Sequence, residues 1–328
     1  MTFDVHAHVV VPEITRGAGD EEPWRPHVFR DDDGAQVVEM GGKQIRAAIS
    51  EFVDIDGILA AQDEAGVDRV LLCPWVPLLY YDAEPEEGLA RARIQNDALA
   101  GLARDHPDRV TALGALPLQD PELAARELQD VMARGELKGV EVAASVRGVF
   151  LGDDRFEPFW EAAESTGAVV FIHPTTRGFD SPAFQDYYLW NTVANPLETA
   201  TAGAHMVVAG VMERHPELRV LLAHGGGALL AVRGRLRHAH GFQPQAKSRL
   251  RESPEDSIRR FYFDTLTHDD ALLRALIDYA GPDHVLLGSD YPFDMGDQRH
   301  VDTVRGLGLA PDVEAAILAG NAERLLTT

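Results

Sequence analysis

Ala168-Val169-Val170-Phe171-Ile172-His173 is a short apolar run, rich in β-branched residues, that ends on a histidine. Such a run reads as a strand. Working outward, similar runs lie upstream at 2–6, 69–73, 110–116 and 137–143, and downstream at 218–224, 260–264 and 284–290. That makes eight. The segments between them are long enough for helices. Two of these, 122–134 and 271–279, carry apolar residues at three- and four-residue spacing, the pattern of a helix with one face on a sheet. Several strands follow a Pro and an acidic residue, as in Pro107-Asp108, Pro216-Glu217 and Pro282-Asp283. Eight strands alternating with helices in 328 residues predict an α/β fold, a (β/α)8 TIM barrel. An open doubly wound sheet competes, but no Gly-x-Gly-x-x-Gly follows the first strand.

Two insertions interrupt the spacing. Residues 12–53, after the first strand, are rich in Gly, Asp, Glu and Arg and are too long for a plain βα loop. Residues 174–198, after the fifth strand, hold Phe179, Phe184, Tyr187, Tyr188 and Trp190. Both leave from the strand ends where a barrel builds its active site, so they are expected to cover substrate. With no repeat, low-complexity tract or linker in view, residues 1–328 read as one barrel domain.

Composition narrows the function classes. Hydrophobic residues at 45% and charged residues at 25% belong to a chain that buries a core. The balance of 30 Lys+Arg against 53 Asp+Glu gives a net charge of −23, which disfavours nucleic acid and anionic membrane surfaces as partners. Cys73 is the only cysteine and sits in an apolar run, so it reads as an inert core thiol. The first residues carry no secretory pattern, and no apolar run reaches the ~20 residues of a membrane helix, so a cytoplasmic protein is expected.

The chemistry collects at strand ends. His6 and His8 form a His-x-His at the end of the first strand, where positions i and i+2 face one side. His173 ends the fifth strand, His224 the sixth and Asp290 the eighth. Imidazoles and a carboxylate meeting at a barrel mouth suit Zn²⁺ or a similar divalent ion, with Mn²⁺ as another candidate. One histidine in an apolar run is most often a hydrogen-bonded core residue, but coincidence does not account for several at the same end of the barrel.

This set resembles the amidohydrolase superfamily, and more closely its decarboxylase branch, typified by the 2-amino-3-carboxymuconate-6-semialdehyde decarboxylases. The resemblance runs through Asp4-Val5-His6-Ala7-His8, Pro117-Leu118-Gln119-Asp120, Ile172-His173-Pro174, Ala223-His224-Gly225-Gly226-Gly227, Leu287-Gly288-Ser289-Asp290-Tyr291-Pro292-Phe293 and Gly320-Asn321-Ala322. It implies that His6, His8, His173 and Asp290 ligate one Zn²⁺, and that His224 is a non-ligand acid/base. On the residues alone His224 could also be a fifth ligand or a cap near the glycines. A second metal would want a bridging Lys at the end of strand four. Lys138 stands at that strand's start, although Glu141 could substitute.

A zinc ion lowers the pKa of a water it holds toward ~7, so His224 could take its proton. In the reaction the resemblance implies, hydroxide activated in this way attacks an unsaturated or aromatic carboxylic acid, and CO₂ is lost without oxidation; Asp290 takes part as ligand and catalytic group. Arg46 and Arg235 match carboxylate-binding arginines, Arg235 one that reaches into a neighbouring subunit, so a homodimer is expected. Phe293 matches a substrate-packing Phe. Tyr187, with Trp190 nearby, stands where the family has a Trp, and Gln243 replaces a further Arg, with Arg249 and Arg251 close by. The same metal site could instead serve a hydrolase or hydratase acting on a lactone, amide or alkene acid. A purely structural metal is disfavoured, because structural zinc sites are closed and rich in Cys.

Overall fold

The computed structural model describes residues 1–15, 25–34, 36–40, 43–46 and 49–327, with backbone alone at 28, 36, 40, 43–46, 49 and 50. Eight strands follow one another: β1 (Phe3–Val9), β2 (Arg69–Pro74), β3 (Val110–Ala112), β4 (Gly139–Ala143), β5 (Val169–His173), β6 (Arg219–Leu222), β7 (Tyr262–Asp264) and β8 (Val285–Leu286). Every pairing among them is parallel. They form two arcs, β1-β2-β3 and β4-β5-β6-β7-β8. Backbone hydrogen bonds join the arcs at both seams. Gly114 N donates to Gly139 O and Glu141 N to Gly114 O, each at 2.9 Å, while Val5 N donates to Leu287 O and His8 N to Tyr291 O, each at 2.8 Å. The ring therefore closes into the expected barrel. Both faces of each strand are covered, which is why β1 and β5 are buried along their whole length and show no polar alternation.

Three strands end earlier than the apolar runs do, β3 at Ala112 among them. β6 stops at Leu222 and β8 at Leu286, so His224 and Asp290 lie in the turns beyond. Both adopt left-handed backbone, φ 58° and 60°, which a β ladder cannot propagate. They are end-of-strand residues in space but not in hydrogen bonding.

Helices cover the outside: α1 (Ile55–Glu64), α2 (Pro85–Asp105), α3 (Pro121–Arg134), α4 (Glu157–Thr166), α5 (Asn195–Val208), α6 (Leu229–Phe242), α7 (Asp270–Ala280) and α8 (His300–Gly306). Local chemistry sets their ends. Asp120 accepts from Leu123 N to cap α3, Pro121 occupies its first turn and Gly135, φ 75°, ends it. Inside the barrel, Phe3, Val5, Phe171 and Leu221 pack together. Ala322, Leu325 and Leu326, at the end of the chain, close its floor.

The first insertion builds an antiparallel three-stranded sheet from His27–Arg30, Gln36–Met40 and Lys43–Arg46. The second runs through short turns at Gly178–Asp180 and Pro182–Phe184 and a π-helical turn at Trp190–Ala194; the last residues of the expected insertion already belong to α5. No helix among the described residues is long and apolar enough to cross a membrane.

Candidate active site

A bulge in β1 decides where its histidines point. The pairing of β1 with β2 shifts register between Asp4 and Ala7. Before the shift, Phe3 and Val5 pack inside the barrel; after it, Ala7 and Val9 pack outward beside Ile58. His6 and His8 thereby both turn inward. The rings of His6 and His8 stand 5.1 Å apart, and that of His173 is 5.3 Å from His6 and 4.9 Å from His8.

Each of the three rings is held by its Nδ1. That of His6 donates to Asp264 Oδ2 at 2.7 Å, that of His8 to Pro74 O at 3.1 Å, and that of His173 to Pro174 O at 3.1 Å. Their Nε2 atoms are left with lone pairs turned to a common point. Asp290 Oδ1 meets them there, 3.1 Å from His6 Nε2, 3.2 Å from His8 Nε2 and 3.8 Å from His173 Nε2. All four atoms are buried and without a hydrogen-bond partner among the described residues. Ligands held at about 2.0–2.2 Å in a tetrahedron stand roughly 3.3–3.6 Å apart, so the spacing and the N₃O donor set both fit a divalent ion. His6, His8, His173 and Asp290 thus form a metal site.

The electrostatics suit this for His8, His173 and Asp290. Burial lowers the His8 imidazole and takes that of His173 down to about 3, so both are neutral, ligand-competent bases. Burial also opposes charge on His6, but the charge of Asp290 and the carboxylates of Asp264 and Asp290 facing its two ring nitrogens outweigh it and push the ring up to about 10, so with no ion bound His6 holds a second proton that a metal would displace. Burial likewise works against ionised Asp290, yet the surrounding imidazoles hold its carboxyl well below the ordinary range.

His224 stands beside this group and outside it. Its Nε2 is 3.4 Å from Asp290 Oδ2, and its ring is 5.3 Å from that of His6 and 5.2 Å from that of His173. The glycine run shapes its turn. Gly227, at φ 59°, approaches α5 so closely that a Cβ would stand 2.1 Å from Pro196 O. Lys138 precedes β4 at the floor end, far from a bridging place. Glu141 is buried, but its Oε2 faces His8 Nδ1 at 3.8 Å, on the side away from the converging atoms.

Above the site opens a cavity of about 2260 Å³, lined by His173, Asp290, Phe293, Trp190, Tyr188 and Trp75 among others. Phe293 is seated 5.1 Å from the His8 ring and 5.0 Å from Phe52. Tyr187 does not join them. It is 91% exposed and absent from the lining, while the next residue, Tyr188, lines the cavity and donates its hydroxyl to Asp294 Oδ1 at 2.8 Å. The tyrosine that lines the cavity is thus the one after Tyr187; Tyr187 and Tyr188 are both left-handed, at φ 55° and 63°, and the chain turns sharply between them. Arg235 lies exposed on α6 and does not line the cavity. The side chain of Arg46, at the end of the insertion sheet, is outside the described residues. Gln243 follows α6, and Arg249 pairs with Asp154 away from the site.

Sequence reasoning missed Asp264. Fully buried at the end of β7, it accepts from His6 Nδ1, from His224 N at 2.8 Å and from Gly225 N at 2.7 Å, so one carboxylate orients a metal ligand and fixes the His224 turn. The signal was present, since the run at 260–264 also ends on a metal-type residue. Asp4 was missed too. Its carboxylate accepts from His6 N at 2.9 Å, Ser289 N at 3.1 Å and Ser289 Oγ at 2.5 Å, tying β1 to the segment that carries Asp290.

Known proteins share this architecture. The amidohydrolase family profile matches residues 3–327. A 2-amino-3-carboxymuconate-6-semialdehyde decarboxylase from Dictyostelium discoideum is 33% identical over 301 residues, covering 90% of this chain and 83% of that protein. The crystal structure of 5-carboxyvanillate decarboxylase from Sphingomonas paucimobilis superposes with a TM-score of 0.84 at 27% identity, covering 99% of this chain and 98% of that one. A dihydroxybenzoic acid decarboxylase from Polaromonas, solved with bound manganese and the inhibitor 2-nitroresorcinol, shares the fold at TM-score 0.80 and 23% identity, covering 99% and 96%. By its family match, its relatives and its barrel, the chain belongs to the amidohydrolase family, in the decarboxylase branch.

Proposed function

We propose that this protein is a metal-dependent, non-oxidative decarboxylase of an unsaturated or aromatic carboxylic acid. The observation that carries the proposal is the convergence of three Nδ1-anchored imidazoles and Asp290 Oδ1 beneath an aromatic-walled cavity, with His224 beside them. His6, His8, His173 and Asp290 would hold Zn²⁺ or Mn²⁺. Bound there, the ion supplies a Lewis acid that offsets the charge left as CO₂ departs.

The protein's own groups do the rest. Phe293 and Trp190 present flat apolar faces to an unsaturated acid, and Tyr188 closes the wall between the second insertion and the loop after β8. His224 has the position of a proton carrier, its Nε2 held near Asp290 Oδ2, to deliver a proton to the carbon that loses CO₂. The balance is simple: a carboxylate and a proton yield CO₂ and a C–H bond. Arg46 and Arg235 would grip substrate carboxylates through bidentate hydrogen bonds, Arg235 from the partner subunit of a homodimer, since it stands outside its own cavity. Two such cations supply local positive charge in a chain of net charge −23. The single, buried Cys73 accords with a cytoplasmic setting.

The test is CO₂ release by Zn²⁺- or Mn²⁺-loaded protein from a carboxymuconate semialdehyde and from hydroxybenzoates. Turnover of at least one acid is expected. Hydrolysis of lactones with no CO₂ from any acid would replace this function with the hydrolase alternative.

A further inference from the structure

Asn195 begins α5, directly after the π-helical turn Trp190–Ala194. The residue is buried, at 4% exposure, lines the cavity with His173, Glu198 and Asp290, and its Oδ1 meets no hydrogen-bond donor among the described residues. A buried amide oxygen left without a donor is costly. Looseness does not account for it, because the helix is anchored one turn on. Glu198, on the same face, accepts from Thr175 N at 2.6 Å and from Thr175 Oγ1 at 2.7 Å, which ties α5 to the segment two residues past His173. Single π-helical turns within helices occur frequently at functional sites. Here the turn sets the register that presents Asn195 to the cavity.

We propose that Asn195 is a specificity residue: its Oδ1 accepts a hydrogen bond from a hydroxyl or amino donor on the substrate, so the cavity selects unsaturated or aromatic acids that carry such a donor. Phe293, Trp190 and Trp75 give the same cavity apolar surface, and a buried acceptor with no donor of its own is where a polar group on the ligand discriminates most. The inference rests on the decarboxylase reading for the identity of the ligand, and it concerns binding and not turnover.

The experiment compares monohydroxybenzoates with the corresponding fluorobenzoates, which keep the ring and carboxylate but lack the donor. Binding to Mn²⁺-loaded protein is measured by calorimetry for the wild type, Asn195→Leu and Asn195→Asp, each checked for native metal content. At least one hydroxy acid should bind the wild type about tenfold or more tightly than its fluoro partner. That ratio should fall below about threefold in Asn195→Leu and persist in Asn195→Asp, which keeps an acceptor. A wild type that does not discriminate, or a ratio that survives in Asn195→Leu, overturns the proposal. Absence of CO₂ release alongside a ratio lost in Asn195→Leu would instead remove the decarboxylase function and leave Asn195 as the reader of a ligand hydroxyl.

Discussion

Asp264 accepts four hydrogen bonds, from His6 Nδ1, His224 N, Gly225 N and Leu266 N, without any exposure to solvent. Asp264→Ala should weaken metal binding about 10- to 100-fold, because His6 loses the group that fixes its tautomer. Competition against a chelator measures this; wild-type affinity in the variant would show that the carboxylate does not orient the ligand. His224→Ala should keep full metal content and lose turnover by about 100-fold or more, read by metal analysis beside CO₂ release. Loss of the metal would make His224 a ligand after all. The ligands were legible as single residues because each is a polar interruption at the end of an apolar run. Asn195 was not, since nothing along the chain tells a buried amide from one at the surface of a helix.

Elements set the directions of these side chains. His6 and His8 share a face by strand periodicity, but only the bulge in β1 makes that face the inner one. Register between β4 and β5 depends on Gly139, whose φ is 147° and whose added Cβ would stand 1.9 Å from Val169 O. Gly139→Ala should therefore cost about 3 kcal/mol or more, or prevent folding, as seen in thermal melts. A near-native melting temperature would refute the close approach. Between α4 and Val211–Arg214, Glu157 accepts from Arg214 Nη2 at 2.7 Å and from His215 Nε2 at 2.9 Å, and the hydrogen bond from Arg214 leads in bringing its carboxyl from 4.5 down to about 2. Because the folded value lies below the unfolded one, this stabilisation is complete above about pH 4.5 and is lost as pH falls toward 2. Glu157→Gln should thus lower the melting temperature near neutral pH and converge on the wild type in acid; an equal gap at both ends would rule the linkage out.

At the scale of the whole molecule, the metal site joins segments that enclose the entire barrel, with ligands from β1, β5 and the turn after β8. Binding there should stabilise the complete fold, by ~4 kcal/mol at a metal concentration about a thousand times Kd. Chelator-treated protein should melt lower and recover with Zn²⁺ or Mn²⁺, and His173→Ala should abolish the response. A melting temperature indifferent to metal would contradict the site. The barrel itself was legible along the chain, because eight buried strands must be apolar and the helices between them must be one-faced. The ligand types were legible for the same reason: polarity at a strand end stands out against a buried run. Direction was not written there. The bulge that turns His6 inward, the left-handed turns that carry His224 and Asp290 past their strands, and the rotation that sends Tyr187 to solvent and Tyr188 to the cavity all depend on contacts between segments far apart in sequence, and only the folded chain brings those segments together.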